Sequence, residues 1–204
     1  MEVQVDKSHY DFSSYMDLDR FNSFYEQLKL IKKNNPNSIL DIGPGNNFLK
    51  FLLQEDIDFK TIDIDSSTQP DFIGSVDNLP IPNDSFDVVC CFQVLEHLPF
   101  DLFGKCLSEI HRVSKNDVLI SLPYSRLDFK FSLKFAIFKE LRFLMTIPKF
   151  YKKNKFDGQH YWEIGRKGTP KKVIKEELEK YFHIQEVVNP FQNPYHIFYK
   201  LTKK

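Results

Sequence analysis

This chain has few means of covalent cross-linking. Its three cysteines, Cys90, Cys91 and Cys106, are an odd number and show no metal-like spacing. Cys90 and Cys91 fall in an apolar run and Cys106 in a helical stretch, so all three read as small buried hydrophobes of a reduced, cytoplasmic protein. Charge of one sign is also lacking: 28 Lys and Arg balance 28 Asp and Glu. That balance argues against a nucleic-acid binder working through a global positive field. No apolar run reaches the ~18 to 20 residues of a spanning helix. The first 30 residues are polar and charged, with no signal sequence. Internal repeats and low-complexity linkers are absent. With 42% hydrophobic residues over 204 positions, the chain reads as one globular domain, 1–204, with a substantial core.

What is present is most informative at Ser38-Ile39-Leu40-Asp41-Ile42-Gly43-Pro44-Gly45-Asn46-Asn47. A short apolar run meets an acid and breaks into a glycine turn. A second run, Thr61-Ile62-Asp63-Ile64-Asp65, also ends in acids. Two parallel strands that deliver a glycine turn and an acid to one sheet edge make a nucleoside site. The glycines admit a close backbone approach, and one of the acids that end the second run, Asp63 or Asp65, can accept both ribose hydroxyls. Phe48 stands where a dinucleotide fingerprint needs its third glycine, and no phosphate loop ending Gly-Lys-Ser/Thr is found.

The turn resembles motif I of the class I S-adenosylmethionine (SAM)-dependent methyltransferases, D-x-G-x-G-x-G. Asp41, Gly43 and Gly45 match, and Asn47 replaces the last glycine. Asn tolerates left-handed backbone angles better than other non-glycine residues. Leu79-Pro80-Ile81-Pro82-Asn83-Asp84-Ser85-Phe86-Asp87-Val88-Val89 resembles the family's L-P-F-x-D-x-S-F-D-V-V. Gln93-Val94-Leu95-Glu96-His97-Leu98-Pro99 and Glu109-Ile110-His111-Arg112-Val113 follow in the family's order. The resemblance implies an α/β, Rossmann-like sheet, mostly parallel with an antiparallel C-terminal strand, and helices on both faces. It implies SAM as cofactor. Asp41 then reaches toward the methionine amino group, Asp63 with Ile64 holds the ribose, and Phe92 and Gln93 line the methionine end. The N–H of Val76 and the carboxylate of Asp77 serve adenine. His97 suits general-base work on a hydroxyl. Nucleic acid is not expected as a substrate, because the N/D-P-P-Y/F motif of amino-methylating enzymes is missing. No metal cluster with ligand spacing is visible, and a sulfonium donor needs no Lewis acid, so none is expected.

Periodicity predicts helices at about 18–34, 46–54, 100–114 and 169–181, the last opened by Thr169 as cap with Pro170 in the first turn. Strands are expected at 37–42, 58–64, 71–74, 86–92, 117–122, 182–188 and 195–202. Residues 1–35 resemble an N-terminal helical flap, with Tyr10 and Arg20 as acceptor contacts. The segment 124–160 is an insertion with nine basic residues against three acids, and it is rich in Phe, Tyr, Leu and Ile. It reads as a basic aromatic lid, helical, with Phe135, Phe138 and Leu141 on one side. Tyr124, Arg126 and Trp162 are expected to bind substrate and His160 to act in catalysis.

The expected acceptor is a small molecule, by preference a hydroxyl of a sugar or glycan precursor. A quinone or other lipid at the inner membrane surface is the alternative. A methyltransferase-like protein that binds SAM without turnover is a third reading.

Overall fold

The computed structural model describes residues 16–137 and 139–204, so Tyr10 and Phe138 lie outside the described residues. A helix, α1 (Leu18–Asn34), precedes the first strand; Asp17 caps it by accepting from the Arg20 N–H at 2.7 Å. Then come β1 (Ser38–Ile42), α2 (Phe48–Leu53), β2 (Asp58–Asp63), β3 (Phe72–Ile73) and β4 (Phe86–Phe92). Short 3₁₀ turns at Leu95–His97 and Phe100–Leu102 lead into α3 (Phe103–Val113) and β5 (Ser114–Pro123). The chain continues through β6 (Arg126–Leu133), β7 (Leu141–Pro148), α4 (Lys171–Leu178), β8 (Phe182–Val188) and β9 (His196–Lys203).

Seven strands form one sheet in the order β3-β2-β1-β4-β5-β9-β8. Pairings are parallel from β3 to β5, and β9 runs antiparallel to both β5 and β8. Period-two alternation splits the core into two layers. Ile39, Val88, Cys90, Leu119 and Phe198 face α1, with Phe24, Leu30 and Ile31. Leu40, Val89, Cys91, Ile120 and Ile197 face α3 and α4, with Leu107, Ile110 and Ile174. All three cysteines are buried and unpaired by disulfide.

The E-x-x-R pattern on α3 has a structural job. Glu109 accepts from the Leu79 N–H at 2.8 Å, while Arg112 donates to the Ile81 carbonyl at 2.7 Å and the Leu79 carbonyl at 2.9 Å. Together they fasten the loop before β4. Pro170, not Thr169, occupies the N-cap of α4; the Thr169 hydroxyl donates instead to the Glu163 carbonyl at 2.7 Å.

The insertion departs from its expected helical form. β6 and β7 pair antiparallel as a separate two-stranded ribbon. Strict alternation over Arg126–Leu133 wins over the i, i+3 spacing of the residues beyond it. The register sets Leu127 opposite Ile147, Phe129 opposite Met145, Phe131 opposite Phe143 and Leu133 opposite Leu141. These eight side chains share one face, and all eight are exposed. Phe135 and Leu141 are exposed as well, not packed on the body.

Candidate active site

The C-terminal ends of β1, β2 and β4 meet where the strand order reverses, the place where open α/β sheets bind ligands. Gly43 has φ +66°, and a Cβ there would lie 2.6 Å from Val94 Cγ2. Only glycine fits that turn. Its N–H donates to the Ile62 carbonyl at 2.9 Å, so the β1 turn is stitched to the end of β2. Gly45 and Asn47 also sit in the left-handed region, at φ 58° each. Asn47 therefore accepts the geometry expected of it, and its amide donates to the Thr68 carbonyl at 2.8 Å.

A cavity of about 220 Å³ opens at this edge. Its lining includes Asp41, Gly43, Gly45, Phe92 and Gln93 from the strand ends and Arg20, Phe24 and Gln27 from α1. His97, Gln159, His160, Tyr195 and His196 close the other side. Asp41 is 4% exposed, and burial, helped by the nearby Asp63, pushes its pKa up to about 8. Burial also raises the pKa of Asp63, whose carboxylate accepts from the Asp65 N–H at 3.0 Å. Two crowded acids at one sheet edge are suited to a ligand carrying a positive charge and hydroxyl donors.

The opposite side is a hydrogen-bonded cluster. Gln93, itself at φ 56°, satisfies its neighbours when its amide nitrogen is assigned to the side facing His196 Nε2 and Glu96 Oε1, each at 3.2 Å. Its oxygen accepts from the Ser121 hydroxyl and the Leu122 N–H, each at 3.1 Å. His196 Nδ1 lies 2.8 Å from the Ser23 hydroxyl, and burial holds this imidazole neutral, with a pKa lowered to about 3. His160 Nδ1 faces Glu163 Oε1 at 3.4 Å. Glu163 also accepts from the Tyr195 hydroxyl at 2.9 Å and pairs with Arg166 at 2.9 Å. Burial opposes its ionisation, but the His160, Tyr195 and Arg166 contacts outweigh it and hold the pKa down to about 2. For His160, burial opposes the charged form and the Glu163 and Glu96 carboxylates overcome it, raising its pKa. The rings of His97 and His160 meet edge to face with centroids 4.9 Å apart.

Of the expected residues, Arg20, Asp41, Gly43, Gly45, Phe92, Gln93, His97 and His160 come together around the cavity. Asn47, Asp63, Ile64, Val76 and Asp77 do not line it. Asp77 is engaged elsewhere, by the Ser75 hydroxyl and by Lys105 Nζ at 3.1 Å. Three expected substrate residues are corrected. Trp162 is fully buried, donates to the Leu98 carbonyl at 3.1 Å and packs edge-on against Phe100 and Phe103, so its ring has no face for an acceptor. Tyr124 and Arg126 are buried at the root of the ribbon, where Arg126 lies over the Tyr124 ring and pairs with Asp128 at 2.6 Å. Sequence reading missed Tyr195, His196, Gln159 and Glu163. For His196 a signal existed. An antiparallel last strand starts at the edge where the parallel strands end, which places its first residue in the site.

Residues 40–122 match a family profile described as a methyltransferase domain. A protein of known structure from Pyrococcus horikoshii OT3 superposes with TM-score 0.64 at 14% identity, covering 98% of this chain and 100% of its own. A 1,6-didemethyltoxoflavin-N1-methyltransferase of Burkholderia thailandensis, solved with S-adenosylhomocysteine, gives 0.62 at 16% identity, over 97% of this chain and 84% of its own. An S-adenosylmethionine-dependent methyltransferase of Clostridium acetobutylicum ATCC 824 gives 0.58 at 13% identity, over 96% of each chain. A search of curated protein sequences returned no match. Residues 40–122 thus match a methyltransferase-domain profile, and the chain as a whole has the fold of these structures.

Proposed function

We propose that this chain is a class I SAM-dependent methyltransferase, with SAM as its cofactor, that acts on a hydroxyl of a lipid-linked sugar or glycan precursor held at an anionic membrane surface. SAM supplies a methyl group already activated on a positively charged sulfur. The chain must then bind the donor, set the acceptor in line, exclude water and deal with the hydroxyl proton. Asp41 takes the amino group of the methionine end, and Gly43 and Gly45 let the donor lie against the backbone. Asp63 takes the ribose hydroxyls. Adenine lies toward the turn at Ser75–Asn78, because the Gly74 N–H bonds to the Asp63 carbonyl at 3.0 Å and sets that turn beside the ribose site. There the Val76 N–H is the better contact, since Asp77 is held by Lys105. His97 and His160 stand on the acceptor side, facing the hydroxyl.

The observation that carries the lipid-linked reading is the β6–β7 ribbon. It leaves the sheet immediately after β5, at the edge where the cavity opens, and bears eight exposed apolar side chains on one face. The insertion has nine basic residues against three acids. Apolar bulk flanked by Lys and Arg favours an anionic lipid surface, at about 1 kcal/mol per basic residue near it. No helix among the described residues is long and apolar enough to cross a membrane, so contact of this kind is peripheral.

Sedimentation with anionic and with neutral vesicles tests the reading. Binding to anionic vesicles at low salt is expected, falling as salt rises. Joint reversal of Lys130, Lys134 and Lys139 to Glu should release the protein. No binding at low salt would discard the membrane and leave a soluble sugar acceptor ahead.

A further inference from the structure

We infer that Glu96, His97 and His160 form a binding site for a divalent transition-metal ion on the acceptor side of the cavity. A carboxylate oxygen of Glu96 and one ring nitrogen of each histidine lie within 4.8 Å of one another. Ligand atoms about 2.1 Å from a common ion stand roughly 3 to 4 Å apart, so small side-chain rotations close the set. The inference rests on reading this side of the cavity as the acceptor site.

Three independent features distinguish this cluster from a chance meeting of polar side chains. The first is Glu96 itself. It is fully buried, and its Oε2 has no hydrogen-bond partner, while Oε1 takes the Gln93 amide. A buried carboxylate oxygen without a donor is costly, and a cation resolves it. The second is the support behind both imidazoles. His97 Nδ1 lies 3.0 Å from the Gln159 carbonyl oxygen, and His160 Nδ1 lies 3.4 Å from Glu163 Oε1. A carbonyl and an ionised carboxylate both ask for a proton on Nδ1, which makes Nε2 the ligating atom of each ring in its neutral form. Metal-ligating histidines are held this way, by a carboxylate or a carbonyl behind the ring. The third is position. His97 and His160 line the cavity, so an ion held by three protein ligands keeps its remaining coordination sites open toward a ligand there.

A second group, Asp157, His160 and Glu163, also converges, but Asp157 is exposed and both oxygens of Glu163 are already used. Asp157 accepts from the Gln159 and His160 N–H groups at 3.2 and 2.8 Å. Glu163 serves Tyr195 and Arg166. It is the support, not the ligand set.

Two imidazoles and one carboxylate suit zinc, manganese, iron or cobalt better than magnesium or calcium. The acceptor hydroxyl would enter an open position, where the ion lowers its pKa. Its proton leaves to a water molecule. The oxygen lone pair then forms the bond to the methyl carbon as the carbon–sulfur bond breaks, and that electron pair stays on sulfur. The ion is neither oxidised nor reduced.

The test uses the full chain, stripped with chelator and titrated with Co²⁺ and with Zn²⁺. Calorimetry should give one ion per chain, and bound Co²⁺ should show visible absorption that Zn²⁺ abolishes. His97→Gln, His160→Gln and Glu96→Gln should each weaken binding by about tenfold or more. His183→Gln, on the exposed face of β8, should leave it unchanged. Should Glu96→Gln fold poorly, His97→Gln still decides. No stoichiometric binding, or binding unaffected by the His97 and His160 substitutions, overturns the site. A metal-free protein whose methyl transfer still depends on His160 would sink the ion and keep the acceptor site. A bound ion in a protein that methylates only a nitrogen acceptor would keep the ion and sink the hydroxyl reading.

Discussion

The chain contains two β structures that alternate apolar and polar residues by the same rule and come to opposite ends. In the seven-stranded sheet both faces are covered, by α1 on one side and by α3 and α4 on the other. In the β6–β7 ribbon one face carries eight apolar side chains that nothing among the described residues covers. A pattern therefore specifies a strand but not its partner. What differs is the connection. The strands from β1 to β5 are joined through helices or structured loops that fold back over the sheet, whereas β6 and β7 have only each other. The sheet is the stability element, and the ribbon offers surface.

The largest expected effect separates those two roles. Leu40→Ala removes a fully buried side chain from the centre of the sheet and should cost about 2–5 kcal/mol in urea unfolding. Phe131→Ala removes a larger but exposed ring and should cost less than about 0.5 kcal/mol. Equal costs would break the comparison, because the ribbon face would then be a core packed against something.

Next in size is the cofactor edge of the sheet. Asp63→Ala should weaken SAM binding by about 1.5–3 kcal/mol, roughly ten- to a hundredfold, through loss of charge-assisted bonds to the ribose. Calorimetry on the variant checks this. A matching loss from a ribbon substitution such as Phe129→Ala would show that the two regions are not separable.

How much of this was legible follows the same division. The turn that carries Asp41, Gly43 and Gly45 was readable because it is local. Strand, turn and acid lie within a few residues, and backbone geometry dictates glycine. The covered sheet was readable because its strands run apolar between helical stretches. The ribbon was misjudged as a helix because Phe135, Phe138 and Leu141 sit at helical spacing, while the alternation over Arg126–Leu133 carries the structure. Trp162 resembled a stacking residue only while its partners Phe100 and Phe103, far away in the chain, were out of view. The acceptor side was illegible for a related reason. Glu96, Glu163 and His196 come from three separate segments, and only the sheet edge brings them together with the expected His97 and His160.

A third effect concerns Asp41, the acid at the centre of the covered sheet. With a pKa of about 8 it is mostly protonated in the empty site near neutrality. An amino group carrying positive charge favours the carboxylate, so SAM binding must release that proton. Affinity should therefore rise with pH, by up to about tenfold or 1.4 kcal/mol per unit, and level off above about 8. The same raised pKa means that the folded protein retains a proton that the unfolded chain gives up near 4. Stability should decline as pH climbs from about 4 to 8. Calorimetry in buffers of different ionisation enthalpy measures the proton count. Asp41→Asn should lower affinity and abolish the release. Release that persists in this variant would move the linkage to another group.

The smallest effect distinguishes side chain from backbone inside the motif turn. Asn47 holds φ 58° and donates to the Thr68 carbonyl at 2.8 Å. Asn47→Gly keeps the left-handed conformation at no steric cost and gives up one partly buried hydrogen bond. These terms oppose each other, and the net change in stability should stay within about 0.5 kcal/mol. Asn47→Ala loses the bond and pays the left-handed penalty besides, at about 1–2 kcal/mol. If the backbone sets the turn, Gly preserves SAM affinity and Ala does not. If the Thr68 bond sets it, Gly and Ala weaken SAM binding alike, and the loop carrying Thr68 becomes part of the cofactor site.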